Sequence, residues 1–125
     1  MVPQSTILIV DDEPRNIYAL KAVLRVKGYK ILTANDGREG IALLEDHPEV
    51  DIMLLDMMMP EMDGYEALAE LRSKPQYKDL PIIAVTAKAM TGDREKCLEA
   101  GATDYLPKPI DDEKLFRLIE QYIRI

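Results

Sequence analysis

Three runs in this chain, Thr6-Ile-Leu-Ile-Val10, Ile52-Met-Leu-Leu55 and Pro81-Ile-Ile-Ala-Val85, are apolar almost throughout instead of alternating apolar with polar. A strand with one wet face alternates, so unbroken runs predict strands covered on both faces, as in a parallel sheet between layers of helices. The intervening segments read as those helices. Pro14 suits a first helical position, Ile17, Leu20, Val23 and Leu24 share a face, and Gly28 ends the unit. Lys30–Ala34 reads as a second strand, Asp36 with Glu39 resembles a capping box, Ile41 and Leu44 face inward, and His47-Pro48 stops that helix. Asp63 caps a helix carrying Tyr65, Leu68 and Leu71, and Lys74-Pro75 closes it. A fourth helix, from about Thr91 to Ala100, is mostly polar, with Cys97 and Leu98 as its main apolar contacts, and should be the least firmly held. Gly101 follows as its C′ residue, Tyr105-Leu106 as a short fifth strand, and Asp111 caps a last helix with Leu115, Leu118, Ile119 and Tyr122 inward. The pattern predicts one open α/β domain over residues 1–125, with any ligand outside the carboxyl ends of the strands.

Composition narrows the chemistry. With 125 residues and 47% of them apolar, the chain builds one proper core. Its 16 Lys+Arg against 23 Asp+Glu, net -7, disfavour a non-specific nucleic-acid binder. No apolar run approaches the ~18 residues of a membrane span, and Met1–Ser5 lacks the order of a signal peptide, so a cytoplasmic location is expected. One Cys and one His exclude an internal disulfide and Cys- or His-rich metal sites, so a metal must be held by oxygen.

The residues just beyond the apolar runs must gather at one sheet edge. Asp11 and Asp12 follow the first strand, Asp56 the third, Thr86 ends the fourth and Lys108 follows the fifth. Carboxylates a few ångströms apart repel by ~4 kcal/mol per pair at an effective dielectric of 20, so this edge needs a cation or must hold a proton. Mg²⁺ fits best, because it takes one or two carboxylates and leaves room for a phosphate oxygen. With no His nearby in sequence, the covalent chemistry expected is attack of a carboxylate on phosphorus, giving an aspartyl-phosphate. Mg²⁺, a Lys ammonium and a Thr hydroxyl would neutralise the transferring phosphoryl oxygens.

With these residues placed, the chain resembles the receiver domains of two-component response regulators over essentially its whole length. Ile9-Val10-Asp11-Asp12-Glu13 is similar to the family's acidic pocket, and Leu54-Leu55-Asp56-Met57-Met58-Met59-Pro60-Glu61-Met62-Asp63-Gly64 to its phosphoacceptor strand and loop. Val85-Thr86-Ala87 resembles its switch Thr and Lys108-Pro109 its Lys. The resemblance implies a doubly wound (βα)5, flavodoxin-like sandwich with five parallel strands. It implies phosphorylation of Asp56 from a histidine kinase or histidine phosphotransfer protein. It implies Mg²⁺ held by Asp12, Asp56 and the Met58 carbonyl, Asp11 acting largely through a water, and a cis Lys108-Pro109 bond. Thr86 would move toward the phosphoryl group, Tyr105 would swing inward, and output would be read on the face of the fourth helix, fifth strand and fifth helix. Met58 and Lys88 would slow hydrolysis of the adduct. The protein would be a monomer or a phosphorylation-dependent dimer and, apart from its own phosphorylation and dephosphorylation, not an enzyme. No separate output domain fits after Ile125, so output is expected through a partner, through onward transfer, or within a parent chain such as a hybrid kinase.

Plainer readings stand beside these. Asp11 and Asp12 could cap a helix, Tyr105 could be a half-buried strand residue, His47 reads as a turn residue and Cys97 as a small apolar one. Met57–Met59 and Met62 are either core and loop filler or flexible apolar docking surface. A haloacid-dehalogenase-like phosphatase also uses an Asp nucleophile with Mg²⁺, but its second Asp, two residues on, is Met58 here. A flavodoxin-like electron carrier would need a phosphate loop where Asp11-Asp12-Glu13 stands, and no glycine-rich nucleotide motif occurs.

Overall fold

The computed structural model describes residues 5–60, 62–87 and 92–123. Strands and helices alternate as β1 (Thr6–Val10), α1 (Pro14–Val26), β2 (Lys30–Ala34), α2 (Gly37–Asp46), β3 (Val50–Asp56), α3 (Gly64–Arg72), β4 (Ile82–Thr86), α4 (Asp93–Glu99), β5 (Asp104–Pro107) and α5 (Asp112–Tyr122). All strand pairs are parallel, in the order β2-β1-β3-β4-β5, which is the expected flavodoxin-like arrangement. The chain winds outward in both directions from β1, so the sheet's switch point lies between β1 and β3.

The unbroken runs do what their composition requires. Leu8, Val10, Met53, Leu55, Ile82 and Ala84 pack on one side against Ile41 and Leu44 of α2, Leu68 and Leu71 of α3, and Cys97 of α4. Their neighbours Ile7, Ile9, Ile52, Leu54, Ile83 and Val85 pack on the other side against Leu20 and Leu24 of α1 and Leu115 and Ile119 of α5. All twelve strand residues are buried, at ~1.5–3 kcal/mol for each large apolar side chain. No helix among the described residues is long and apolar enough to cross a membrane.

Helix ends follow their local chemistry. Pro14 opens α1, and Gly28, at φ 91°, takes the left-handed turn behind it. Asp63 and Glu66 form a reciprocal capping box at α3, while Asp111 accepts from the backbone of Glu113 and Lys114 at α5. At α2 only half of the expected box forms. Asp36 accepts from Glu39 N at 2.8 Å, but the Glu39 carboxylate reaches one residue further back, to the Asn35 N–H. The described α4 starts at Asp93, Thr91 lying outside the described residues, and Cys97 is its one buried side chain. A short 3-10 helix, Pro75–Tyr77, occupies the connection where the sequence shows only a stop at Lys74-Pro75.

Candidate phosphoacceptor site

Strand register builds the site. Val10 pairs with Leu55, so the next residues, Asp11 and Asp56, lie side by side where β1 and β3 diverge. Both are 3% exposed, whereas Asp12 is exposed. One carboxylate oxygen from each of Asp11, Asp12 and Asp56 lies within 4.8 Å of the other two, the one such acidic cluster found among the described residues. From beyond β5, Lys108 reaches across β4 to put its ammonium 3.3 Å from Asp11 Oδ2 and 3.6 Å from Asp56 Oδ1. Three carboxylates against one ammonium leave two negative charges, which one divalent cation would cancel. An all-oxygen donor set of this kind fits a hard cation such as Mg²⁺.

The backbone holds the carboxylates in place. Asp11 Oδ1 accepts from Glu13 N at 2.8 Å, and Asp56 Oδ1 accepts from Met58 N at 3.0 Å. Burial, with Asp11 and Asp12 adding repulsion, pushes the Asp56 carboxyl up to about 6, against the opposing pull of the Met58 N–H and Lys108. Thr86 is buried at the last position of β4, and its carbonyl accepts from Lys108 N at 2.8 Å, tying the lysine to that strand end. The Lys108-Pro109 bond is cis. Tyr105 is half-buried in β5, paired in register with Ala84. Met58 is 50% exposed beside Asp56, whereas Met57 and Met59 are buried. Lys88, its expected companion, lies outside the described residues. All the other anticipated site residues therefore sit at or near one sheet edge.

Asn16 escaped the sequence reading, and Gly64 was read there only as the end of the phosphoacceptor loop. Asn16 Nδ2, in the first turn of α1, lies 3.4 Å from Asp11 Oδ2, a position that only the helix phase could have suggested. Gly64 lets the loop after Asp56 close on itself, its N–H donating to the Met57 carbonyl at 3.3 Å. A Cβ there would stand 2.6 Å from Met57 Cα and 2.9 Å from the Asp56 carbonyl oxygen, both backbone atoms that cannot rotate away. Gly64→Ala is expected to destabilise the protein by about 1–3 kcal/mol, read from urea unfolding, and to weaken Mg²⁺ binding by displacing the loop. Unchanged stability and unchanged binding together would contradict that packing.

Fold and pocket together define an open parallel α/β domain with a lysine-bridged acidic pocket at its switch point. Residues 7–120 match the family model described as response regulator receiver domain, and the chain belongs to that family. It is 43% identical over 118 residues to the transcriptional regulatory protein CpxR of Klebsiella pneumoniae, covering 94% of this chain and 49% of that protein, so it spans about half of that relative's length. Among solved structures it is similar to the chemotaxis protein CheY4 of Vibrio cholerae, with TM-score 0.88 and 30% identity over 97% of this chain and all of that one. It also matches the receiver domain of the sensor histidine kinase PA1611 of Pseudomonas aeruginosa, a structure with a magnesium ion coordinated in its active-site cleft. That match has TM-score 0.82 and 38% identity, covering 96% of this chain and 98% of the other. Receiver domains are signalling domains of two-component systems, and nothing in these comparisons supports the dehalogenase-like phosphatase reading.

Proposed function

We propose that this domain is a phosphoacceptor switch that takes a phosphoryl group onto Asp56 from a phosphohistidine of a histidine kinase or histidine phosphotransfer protein. The observation that carries this reading is the buried Asp56 carboxylate with the Lys108 ammonium at 3.6 Å and two further carboxylates within reach of a shared cation. Asp12, Asp56 and the Met58 carbonyl would hold Mg²⁺, with Asp11 acting largely through a water. Mg²⁺, when bound, supplies positive charge that offsets charge building on the phosphoryl oxygens.

The chain's own groups do the rest. An Asp56 oxygen forms the new O–P bond while the P–N bond to the donor imidazole breaks, and the imidazole leaves with that electron pair. The nucleophile needs no general base, because a carboxyl with a pKa of about 6 is largely ionised at neutral pH. Lys108 is placed to meet a second phosphoryl oxygen and Thr86 a third. Thr86 and Tyr105 would then relay the change to the face of α4, β5 and α5. The scarcity of buried side chains in α4 supports that assignment, since a weakly held element is moved by few new contacts.

Intact-mass measurement after incubation with Mg²⁺ and a small acyl-phosphate donor tests the reading. One phosphoryl group is expected per chain, lost in acid-quenched samples made with excess chelator. Rapid turnover of phosphate esters with no adduct would instead favour a phosphatase.

A further inference from the structure

The geometry points to Tyr65 as a positioning residue that ties the loop after Asp56 to α4, by a route separate from Thr86 and Tyr105; this rests on the phosphoacceptor reading of Asp56. The route is short and contiguous. Met57 follows Asp56, and its carbonyl accepts from Gly64 N at 3.3 Å with the two backbones in close approach. Tyr65 is the next residue, at the first turn of α3. Its hydroxyl lies 3.7 Å from Cys97 Sγ, and the Lys96 ammonium sits 5.1 Å from its ring centroid. Two successive residues of α4 are therefore engaged by one side chain of α3.

Those two contacts matter because α4 sets a single buried side chain, Cys97, into the core. Cys97 is fully buried and is the one buried residue among Asp93–Glu99. It belongs to a packed group that includes Tyr65, Ala100 and Tyr105. A seven-residue helix with one buried anchor has a low cost of displacement, so the groups touching that anchor set its resting position. Burial and the neighbouring thiol push the Tyr65 hydroxyl up to about 12, which keeps it a neutral hydrogen-bonding group at any physiological pH. Met57, bonded backbone to backbone with Gly64, cannot shift when Asp56 gains bulk and charge without moving the backbone that carries Tyr65. The ring transmits that movement to Lys96 and Cys97, because packed side chains relocate together or lose contact.

Hydrogen exchange on the full chain over residues 93–99 tests this, comparing Mg²⁺ alone with Mg²⁺ plus beryllium fluoride as phosphoryl mimic. The quantity read is the ratio of α4 exchange rates without and with the mimic. In Tyr65→Leu this ratio is expected to differ from the wild-type ratio by about fivefold or more, with Tyr65→Phe, which keeps the ring, falling between. Lys96→Met, on the exposed side of α4, is expected to move the ratio in the same direction and keeps the test available if Tyr65→Leu folds poorly. A purely structural role would speed α4 exchange equally in both states and leave the ratio at its wild-type value, which would overturn the inference. A wild-type α4 that ignores the mimic while no beryllium fluoride binds would overturn the phosphoacceptor reading and this inference with it. Binding of the mimic with an unresponsive α4 would overturn this inference alone.

Discussion

Replacing Asp56 by Asn is expected to abolish phosphoryl uptake and, with Mg²⁺ chelated, to make the protein more stable at neutral pH. The two effects have one origin. Asp56 is 3% exposed, and its burial beside Asp11 and Asp12 raises the folded-state carboxyl from 3.8 to about 6. A raised acid pKa means that the folded state binds the proton more tightly than the unfolded chain does. Between about pH 4 and pH 6 the folded state therefore holds more protons, and stability falls as pH rises through that window. Above it the full cost of the buried charge is present, about 3 kcal/mol from a shift of about two units, an upper value for a site beside a lysine. Asn keeps the shape and removes the charge, so Asp56→Asn is expected to gain about 1–3 kcal/mol at about pH 7.5 and only about a third of that at about pH 4.5.

Metal reverses the comparison. Mg²⁺ at about a hundred times its dissociation constant adds ~2.7 kcal/mol to a protein that binds it only when folded, and Asp56→Asn forfeits most of that. Urea unfolding of both proteins, in chelator and in excess Mg²⁺ at both pH values, reads all of these terms. Intact mass with a phosphodonor reads the adduct in the same samples. If Asp56→Asn proved destabilising in chelator at neutral pH, the burial of an uncompensated charge would not be what this site stores.

The separation between what could be read in the residues and what could not has a physical pattern. Ile7–Val10, Ile52–Leu55 and Ile82–Val85 announced a sheet covered on both sides because an inner parallel strand has no wet face to mark with polar residues. Asp11, Asp56, Thr86 and Lys108 could be gathered in advance because parallel strands put all their carboxyl ends on one edge. The contacts that stayed hidden join side chains to backbone, or to partners far along the chain. Glu39 caps Asn35 in place of Asp36, and Tyr65 meets Cys97 across 32 residues. A backbone N–H or carbonyl carries no residue identity, so the sequence has no letter that marks where a bond to it will fall. The raised carboxyl of Asp56 was half legible, since clustered carboxylates call for a cation or a proton, but its largest cause is burial, which only the whole fold sets.

Arg72 is the strongest case of that kind, and Arg72→Met is expected to cost about 3–4 kcal/mol of stability. From the last turn of α3 its guanidinium donates to the Gly101 carbonyl at 2.8 Å through Nε, to the Leu80 carbonyl at 2.9 Å and the Tyr77 carbonyl at 2.6 Å through Nη1, and to Thr103 Oγ1 at 3.2 Å through Nη2. One planar fork thus closes the 3-10 turn, the entry to β4 and the turn between α4 and β5. Gly101, at φ 117°, comes so close that a Cβ there would meet Arg72 Cγ at 2.9 Å. Burial lowers the guanidinium pKa, with Asp79 opposing, but arginine keeps its charge at any working pH, and each of these bonds is charge-assisted. Met preserves the packing of the stem and removes every donor, leaving carbonyls without their partner; Lys offers one compact ammonium in place of the fork and is expected to recover less than half of the loss. The strap sits where β4 and β5 begin, at the edge opposite Asp56, so folded Arg72→Met is expected to form the Asp56 adduct normally while its urea midpoint falls and exchange at residues 100–103 accelerates. A loss below about 1 kcal/mol would mean that water replaces the fork at little cost and that the strap is not what holds these turns.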